Sequence, residues 1–319
     1  MQNISVMYNH EIIEFDKLRR EGKQFRITIP TSKEETENIL IAIKQEAAKS
    51  NADLAILKSL CFEIISRFPL LINFYKERFV LRSRPNYNGE VFNKTGDLSY
   101  NPNINEVHLG RFNLEEDPVF YCTDPVGNES FDATLTGMSE SCKELFDSKE
   151  KITTKYFTIG KFNIIKPMKV IILSHYDKAE SKCSYIKNIN KYFSEVFDSS
   201  LSKGDWEKCE IIYSFFSERA GLKYDNNNNY VLTTAFYHAA KEYYGEELGI
   251  LYSSSMTDNF GLNLVLSKEL INAKYLQLEV AIMFKCVRDP SNPKHFRSFP
   301  CSKEGFPDKE GNFSIHGII

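Results

Sequence analysis

The sequence predicts an α+β fold, and three observations carry that expectation. The front third places apolar residues at helical spacing. From about residue 76, short runs rich in β-branched and aromatic residues take over. Helices are inserted among those runs at irregular intervals, without the regular alternation of a βαβ array.

The elements follow in order. Ser32 with Glu35 three residues on makes a capping box, and Ile39, Leu40, Ile43 and Ala47 recur behind it, so a helix is expected there. A second helix is expected from Ala52 to Phe68, with Leu54, Leu57, Cys61, Ile64 and Ile65 on one face and Pro69 as its stop. Phe79–Arg82, Pro118–Tyr121, Tyr156–Ile159, Met168–Leu173 and Tyr275–Phe284 read as strands. Helices are expected at about Asp205–Ala220 and Tyr230–Tyr244. Gly221 and Gly245 follow them, where a left-handed residue would end each. The tail after Pro290, with Pro293, Pro300 and Pro307, reads as loop.

Composition removes several function classes. The 319 residues carry 40 Lys and Arg against 43 Asp and Glu, a net charge of −3, so a broadly polycationic nucleic-acid surface is not expected. Lys182, Lys187 and Lys191 form only a short basic helix side. No run of 18 apolar residues occurs, and the first ten residues lack the features of a signal peptide. The seven cysteines are scattered and never spaced CxxC, which is expected of reduced thiols in a cytoplasmic protein. The six histidines form no HxxxH or HExxH pair, so no metal site is expected. Neither G-x-G-x-x-G nor G-x-x-x-x-G-K-[ST] appears, which disfavours a Rossmann or P-loop nucleotide site.

Three clusters remain that could carry chemistry. The first is Leu81-Arg82-Ser83-Arg84-Pro85 at a strand end. The second is Gly110-Arg111-Phe112-Asn113, followed by Pro118–Tyr121 and a helix holding Thr136-Gly137-Met138-Ser139-Glu140. The third is Gly249-Ile250-Leu251-Tyr252-Ser253-Ser254, closed by Gly261-Leu262-Asn263. Singly, each has an ordinary structural explanation: an edge arginine, a core tyrosine, a solvated glutamate, a serine-rich loop.

Taken in order, the set resembles the RES domain family, named for its arginine, glutamate and serine. That family shows an early strand-borne Arg, then G-R-[FW]-N, an apolar strand ending in Tyr, a helix with T-A-L-x-E, and later G-I-x-Y-P-S with a G-x-N segment. Here Thr136–Glu140 stands for T-A-L-x-E, Gly249–Ser254 for G-I-x-Y-P-S with Ser253 in place of proline, and Gly261-Leu262-Asn263 for the last element. Tyr230-Val231-Leu232-Thr233-Thr234 is similar to the family's Y-x-x-T-Q helix opening. The gap between Tyr121 and Glu140 is longer than usual in the family, so an insertion is expected around Asp124–Asp132. Glu129 therefore stays open beside Glu140 for the glutamate role, and Arg84 beside Arg82 for the first arginine.

Such side chains, brought together, suit a pyrophosphate joined to a sugar. Arginine's planar fork engages phosphate oxygens in pairs and stays charged at any working pH. Tyrosine offers a flat face, and one carboxylate beneath a ribose stabilises positive charge as the anomeric carbon becomes oxocarbenium-like. A serine without a partnered histidine is not an acyl-transfer nucleophile, so its hydroxyl is expected to position ligand.

The resemblance implies more. It implies an α+β fold of ADP-ribosyltransferase type, with split mixed and antiparallel sheets and flanking helices, and NAD+ as the substrate. The implied activity is cleavage of the nicotinamide–ribose bond with water or phosphate as acceptor, in a toxin of a toxin–antitoxin pair neutralised by a protein antitoxin. Transfer of ADP-ribose to a protein, or a catalytically silent binding protein with the same fold, are the alternatives. Carried over by residue, Glu140, Ser254 and Arg82 would be catalytic, and Arg82, Arg84, Arg111, Tyr121, Tyr252 and Asn263 would bind NAD+, without metal, nucleic acid or membrane. The expected organisation is an accessory helical region over 1–75, a catalytic domain over 76–289 and a loop-rich tail over 290–319.

Overall fold

The computed structural model describes residues 4–125, 133–146, 153–175, 180, 182–223, 230–289, 291–292 and 295–315. Among these residues eleven strands pair into one mixed sheet. They are β1 (Ile4–Tyr8), β2 (Glu11–Ile13), β3 (Leu70–Tyr75), β4 (Phe79–Asn86), β5 (Val119–Thr123), β6 (Thr154–Ile164), β7 (Met168–Leu173), β8 (Leu248–Ser253), β9 (Leu262–Ser267), β10 (Leu276–Arg288) and β11 (Phe296–Pro300), in the spatial order β11-β10-β6-β4-β5-β9-β8-β7-β3-β1-β2. β7 and β8 run parallel, and every other pairing is antiparallel.

The sheet has one thin joint. β4 and β6 share eight residue pairs, from Phe79 with Asn163 to Asn86 with Tyr156, whereas β4 and β5 share one, Leu81 with Thr123. Beyond that pair the backbones of β4 and β5 are not laddered together, and the opening is where the candidate site lies.

The helices are α1 (Phe15–Arg20), α2 (Lys33–Ala47), α3 (Leu54–Arg67), α4 (Ala133–Ser141), α5 (Lys143–Phe146), α6 (Ser184–Ser200), α7 (Lys203–Gly221), α8 (Val231–Tyr244) and α9 (Lys268–Asn272). The expected capping box opens α2: Oγ of Ser32 accepts from the Glu35 amide, and the Glu35 carboxylate accepts from the Ser32 amide at 2.7 Å. Asp53 caps α3, and its last helical residue, Arg67, comes two before Pro69. α8 ends at Gly245, whose φ of 100° only glycine adopts without strain. Gly221 departs from expectation. It is the last residue of α7, and Leu222 ends that helix with extended backbone, so no left-handed residue is needed there.

Central strands are buried on both faces, which explains why they read as continuous apolar runs. Every residue of β8 and of β9 is buried. One large core runs from Val6 to Phe313, joining residues of α2, α3, α6, α7 and α8 to the sheet, and a smaller one gathers Met138, Cys142, Leu145, Phe157, Ile159 and Cys286. The first 75 residues, expected as helical, also supply β1, β2 and β3 to the common sheet. Their alternation is short and was masked by the stronger helical periodicity that follows it. The tail likewise contributes β11, and Lys94 bridges Asn312. No helix among the described residues is long and apolar enough to cross a membrane.

Candidate active site

The cleft at the β4–β5 joint has a volume of about 370 Å³. Both members of the single pair, Leu81 and Thr123, line it, and α4 closes it by packing against β4, β5 and β9. Of the residues singled out in the sequence, Arg82, Arg84, Arg111, Tyr121, Glu140, Tyr252 and Asn263 all line this one cleft. They come from positions spread over more than half the chain. Glu129 lies outside the described residues.

Glu140 is set near the end of α4, half-buried. Its Oε1 accepts two hydrogen bonds, from Oγ of Ser254 at 2.6 Å and from Nδ2 of Asn263 at 2.8 Å. Its Oε2 has no partner among the described residues. The carboxylate is thus fixed by one oxygen and available by the other.

Ser254 is buried and does not line the cleft; its hydroxyl reaches the carboxylate from behind. A tight turn holds it there. The Ser254 amide donates to the Gly261 carbonyl at 2.8 Å, the Asn259 amide donates to the Ser254 carbonyl at 2.8 Å, and Ser253 bonds Asn259 at 2.7 Å. Asn263 is carried by β9, paired across the sheet with Tyr252 on one side and Thr123 on the other.

The arginines divide by what they already bond. Arg82 donates to the Tyr121 carbonyl and lies over the Phe120 ring, while its buried Nε has no partner. Burial, with Arg84 beside it, pulls this guanidinium down to about 10. Arg84 donates to the Asp97 carbonyl and lies over Phe92. Arg111 is buried, and its Nη groups donate to the Ala220 and Leu222 carbonyls at 2.6 and 2.7 Å, to Ser255 Oγ at 3.0 Å and to the Tyr230 hydroxyl at 3.4 Å. The expectation that Arg111 grips phosphate meets a fork already engaged by protein. None of the three arginines pairs with a carboxylate among the described residues.

The Gly110–Asn113 turn is bound together by Tyr121 and α8. The Tyr121 hydroxyl accepts from the Phe112 amide at 2.9 Å and donates to Asn113 Oδ1 at 3.1 Å. Its hydroxyl is therefore bound to the turn, and its ring is what it offers the cleft. Thr233 bonds the Arg111 carbonyl, and Thr234 bonds that of Gly110 at 3.0 Å. A Cβ at 110 would sit 2.2 Å from Asn113 Oδ1, so any side chain there displaces the Asn113 amide. Burial pushes the Tyr121 and Tyr252 phenols up, so both stay protonated at neutral pH.

Two lining residues carry chemistry that the sequence did not single out. Lys143 opens α5, with its ammonium 5.8 Å from the Tyr230 ring, and Tyr230 itself contributes a ring under the Arg111 guanidinium at 4.8 Å. A signal for Tyr230 existed, as the first residue of the Tyr-x-x-Thr-Thr run. Lys143 had none, because Cys142 separates two short helices and breaks the spacing.

Among the described residues four cationic side chains therefore line the cleft with one carboxylate, in a chain whose net charge is −3. A concave site of this sign concentrates anions, and low-dielectric walls strengthen its field. Among the described residues no histidine lines it, so none is placed there to serve a serine as acyl-transfer base. Among the described residues no group of three or more His, Cys, Asp or Glu could hold a metal ion. Comparison with protein-family models, with curated proteins and with solved structures finds no match to this chain.

Proposed function

We propose that this chain cleaves the nicotinamide–ribose bond of NAD+, in a fold of ADP-ribosyltransferase type. The observation that carries the reading is the Glu140 carboxylate, held on Oε1 by Ser254 and Asn263 in the same cleft as Arg82 and Arg84.

In this reading Arg82 and Arg84 receive the pyrophosphate. The charge that Arg82 carries without a counter-ion in the protein is matched by the substrate's own anion. The C1′–N bond then breaks heterolytically, its electron pair passing to the pyridinium nitrogen, so that nicotinamide leaves neutral. Positive charge grows on the ribose, and Oε2 of Glu140 stabilises it. Water or phosphate adds to C1′ from solution; with water, its proton is released to solvent. Ser254 and Asn263 hold the carboxylate in place, and the Tyr121 and Tyr252 rings wall the cleft.

Mass analysis of products decides the matter. The chain is mixed with NAD+ with and without phosphate, and separately with a cell extract. Free nicotinamide together with ADP-ribose or its 1-phosphate is the expected result. Labelled protein in the extract assigns transfer to a protein acceptor instead. Intact NAD+ in every arm overturns the proposal. The toxin reading is tested in the same terms: expression should arrest growth and deplete NAD+, and Glu140→Gln should do neither.

A further inference from the structure

The two best-placed arginines of the cleft do different work. Arg111 has four Nη hydrogens, and four protein acceptors meet them: the Ala220 and Leu222 carbonyls, Ser255 Oγ and the Tyr230 hydroxyl. Ala220 and Leu222 lie at the C-terminal end of α7, where helix carbonyls have no intrahelical donor and a cation is favoured. Tyr230 precedes α8, and its ring lies under the guanidinium, as does the ring of Tyr252 at 5.6 Å. Ser255 is the neighbour of Ser254, whose hydroxyl holds Glu140. Arg82, by contrast, is only partly buried, and the one hydrogen-bond partner of its fork among the described residues is the Tyr121 carbonyl, so part of the guanidinium stays open to the cleft.

We infer that Arg111 is a positioning residue: it brackets the end of α7, Tyr230 and the Ser254–Gly261 turn, and through Ser255 it fixes the serine that aims Glu140, while Arg82 is the arginine that meets the substrate's phosphates. This rests on the NAD+ reading for its kinetic consequences only, because the bracket is a property of the fold. Lysine cannot reproduce it. An ammonium is one point with three donors, whereas the bracket needs four donors spread over a planar fork.

The test separates binding from turnover. In Arg111→Lys, kcat for NAD+ should fall about ten-fold or more with KM within about two-fold, since the carboxylate is misaimed but the phosphate contact survives. Arg82→Lys should do the reverse and weaken ADP-ribose about ten-fold. Amide hydrogen exchange, which needs no activity, should quicken at 254–261 and around 220–222 in Arg111→Lys and stay unchanged there in Arg82→Lys. Should Arg111→Lys fail to fold, Ser255→Ala takes its place, with a kcat loss of a few-fold at constant KM. Weakened ADP-ribose binding in Arg111→Lys with quiet exchange at 254–261 overturns the inference, as does an unchanged kcat in Ser255→Ala. If the unaltered chain neither binds ADP-ribose nor consumes NAD+, the NAD+ reading fails, and the exchange result alone still decides the bracket.

Discussion

Ser254 donates its hydroxyl to Oε1 of Glu140 across 2.6 Å, joining residues 114 positions apart. Asn263 meets the same oxygen, so one side of the carboxylate is immobilised by two donors from the segment that leaves β8 and enters β9. A charged acceptor held this way loses little entropy when charge develops beside it, which is what electrostatic stabilisation of a transition state requires.

Glu140→Gln keeps the shape and removes the charge. NAD+ consumption should fall by about two orders of magnitude or more, with the melting temperature unmoved. Ser254→Ala removes one of the two bonds to the carboxylate, and such a bond to a charged group contributes about 1.5–3 kcal/mol. Its turnover should fall about ten-fold. Rates equal to those of the unaltered chain in either variant would remove Glu140 from the reaction.

Arg82→Met tests whether the site holds an unmatched cation. Arg82 is half-buried, with no carboxylate partner among the described residues and with its Nε shut from water, so its removal should raise stability by about 1 kcal/mol while weakening anion binding. The unaltered chain should also gain stability as pH rises from about 10 toward 12.5. Over that range the unfolded state still binds a proton that Arg82 has released in the fold. Denaturant titrations at several pH values measure both effects, and a large loss of stability in Arg82→Met would contradict the assignment.

Gly110→Ala should disturb the turn that carries Arg111. A methyl 2.2 Å from Asn113 Oδ1 forces the Asn113 side chain away from the Tyr121 hydroxyl, which leaves buried polar groups unmet at about 1–3 kcal/mol. Thermal melting and turnover should both decline. A variant melting with the parent would show the turn to be looser than its contacts.

His238 on α8 sets an acid limit on stability. Burial, reinforced by Lys241, lowers its pKa below the usual 6.5, against the pull of Asp117. The unfolded chain therefore takes up this proton first as pH falls, and the fold loses stability from about pH 6.5 downward. His238→Gln should flatten that part of the curve in urea titrations between pH 7 and 5, and an unaltered slope would assign it to other groups.

Much of the site was legible because its residues sit in short local patterns. A strand end with two alternating arginines, a Gly-Arg-Phe-Asn turn and a serine after an apolar strand each announce a local geometry. The structure brings the two arginines and Gly110-Arg111 of the turn to one cleft and sets Ser254 behind Glu140, outside the lining. The front strands were harder to see: β2 has three residues, too few for alternation to register against the helical spacing of α2 and α3. Gly221 looked like a helix terminator, yet the helix ends at Leu222 in extended backbone, because Arg111 meets the last carbonyls in place of a left-handed turn.

The order of residue types by itself determined the mixed α+β class, the two long front helices and the set of charged and hydroxyl side chains available to one site. Which donors are engaged was decided only by the tertiary structure. The fork of Arg111 is filled by carbonyls more than 100 positions away, Ser254 stands behind Glu140, and Arg82 is left with an unmet Nε. The reason is physical: a hydrogen bond depends on a few tenths of an ångström and on angle, and across a sheet those are fixed by register and by the single pair that joins β4 to β5.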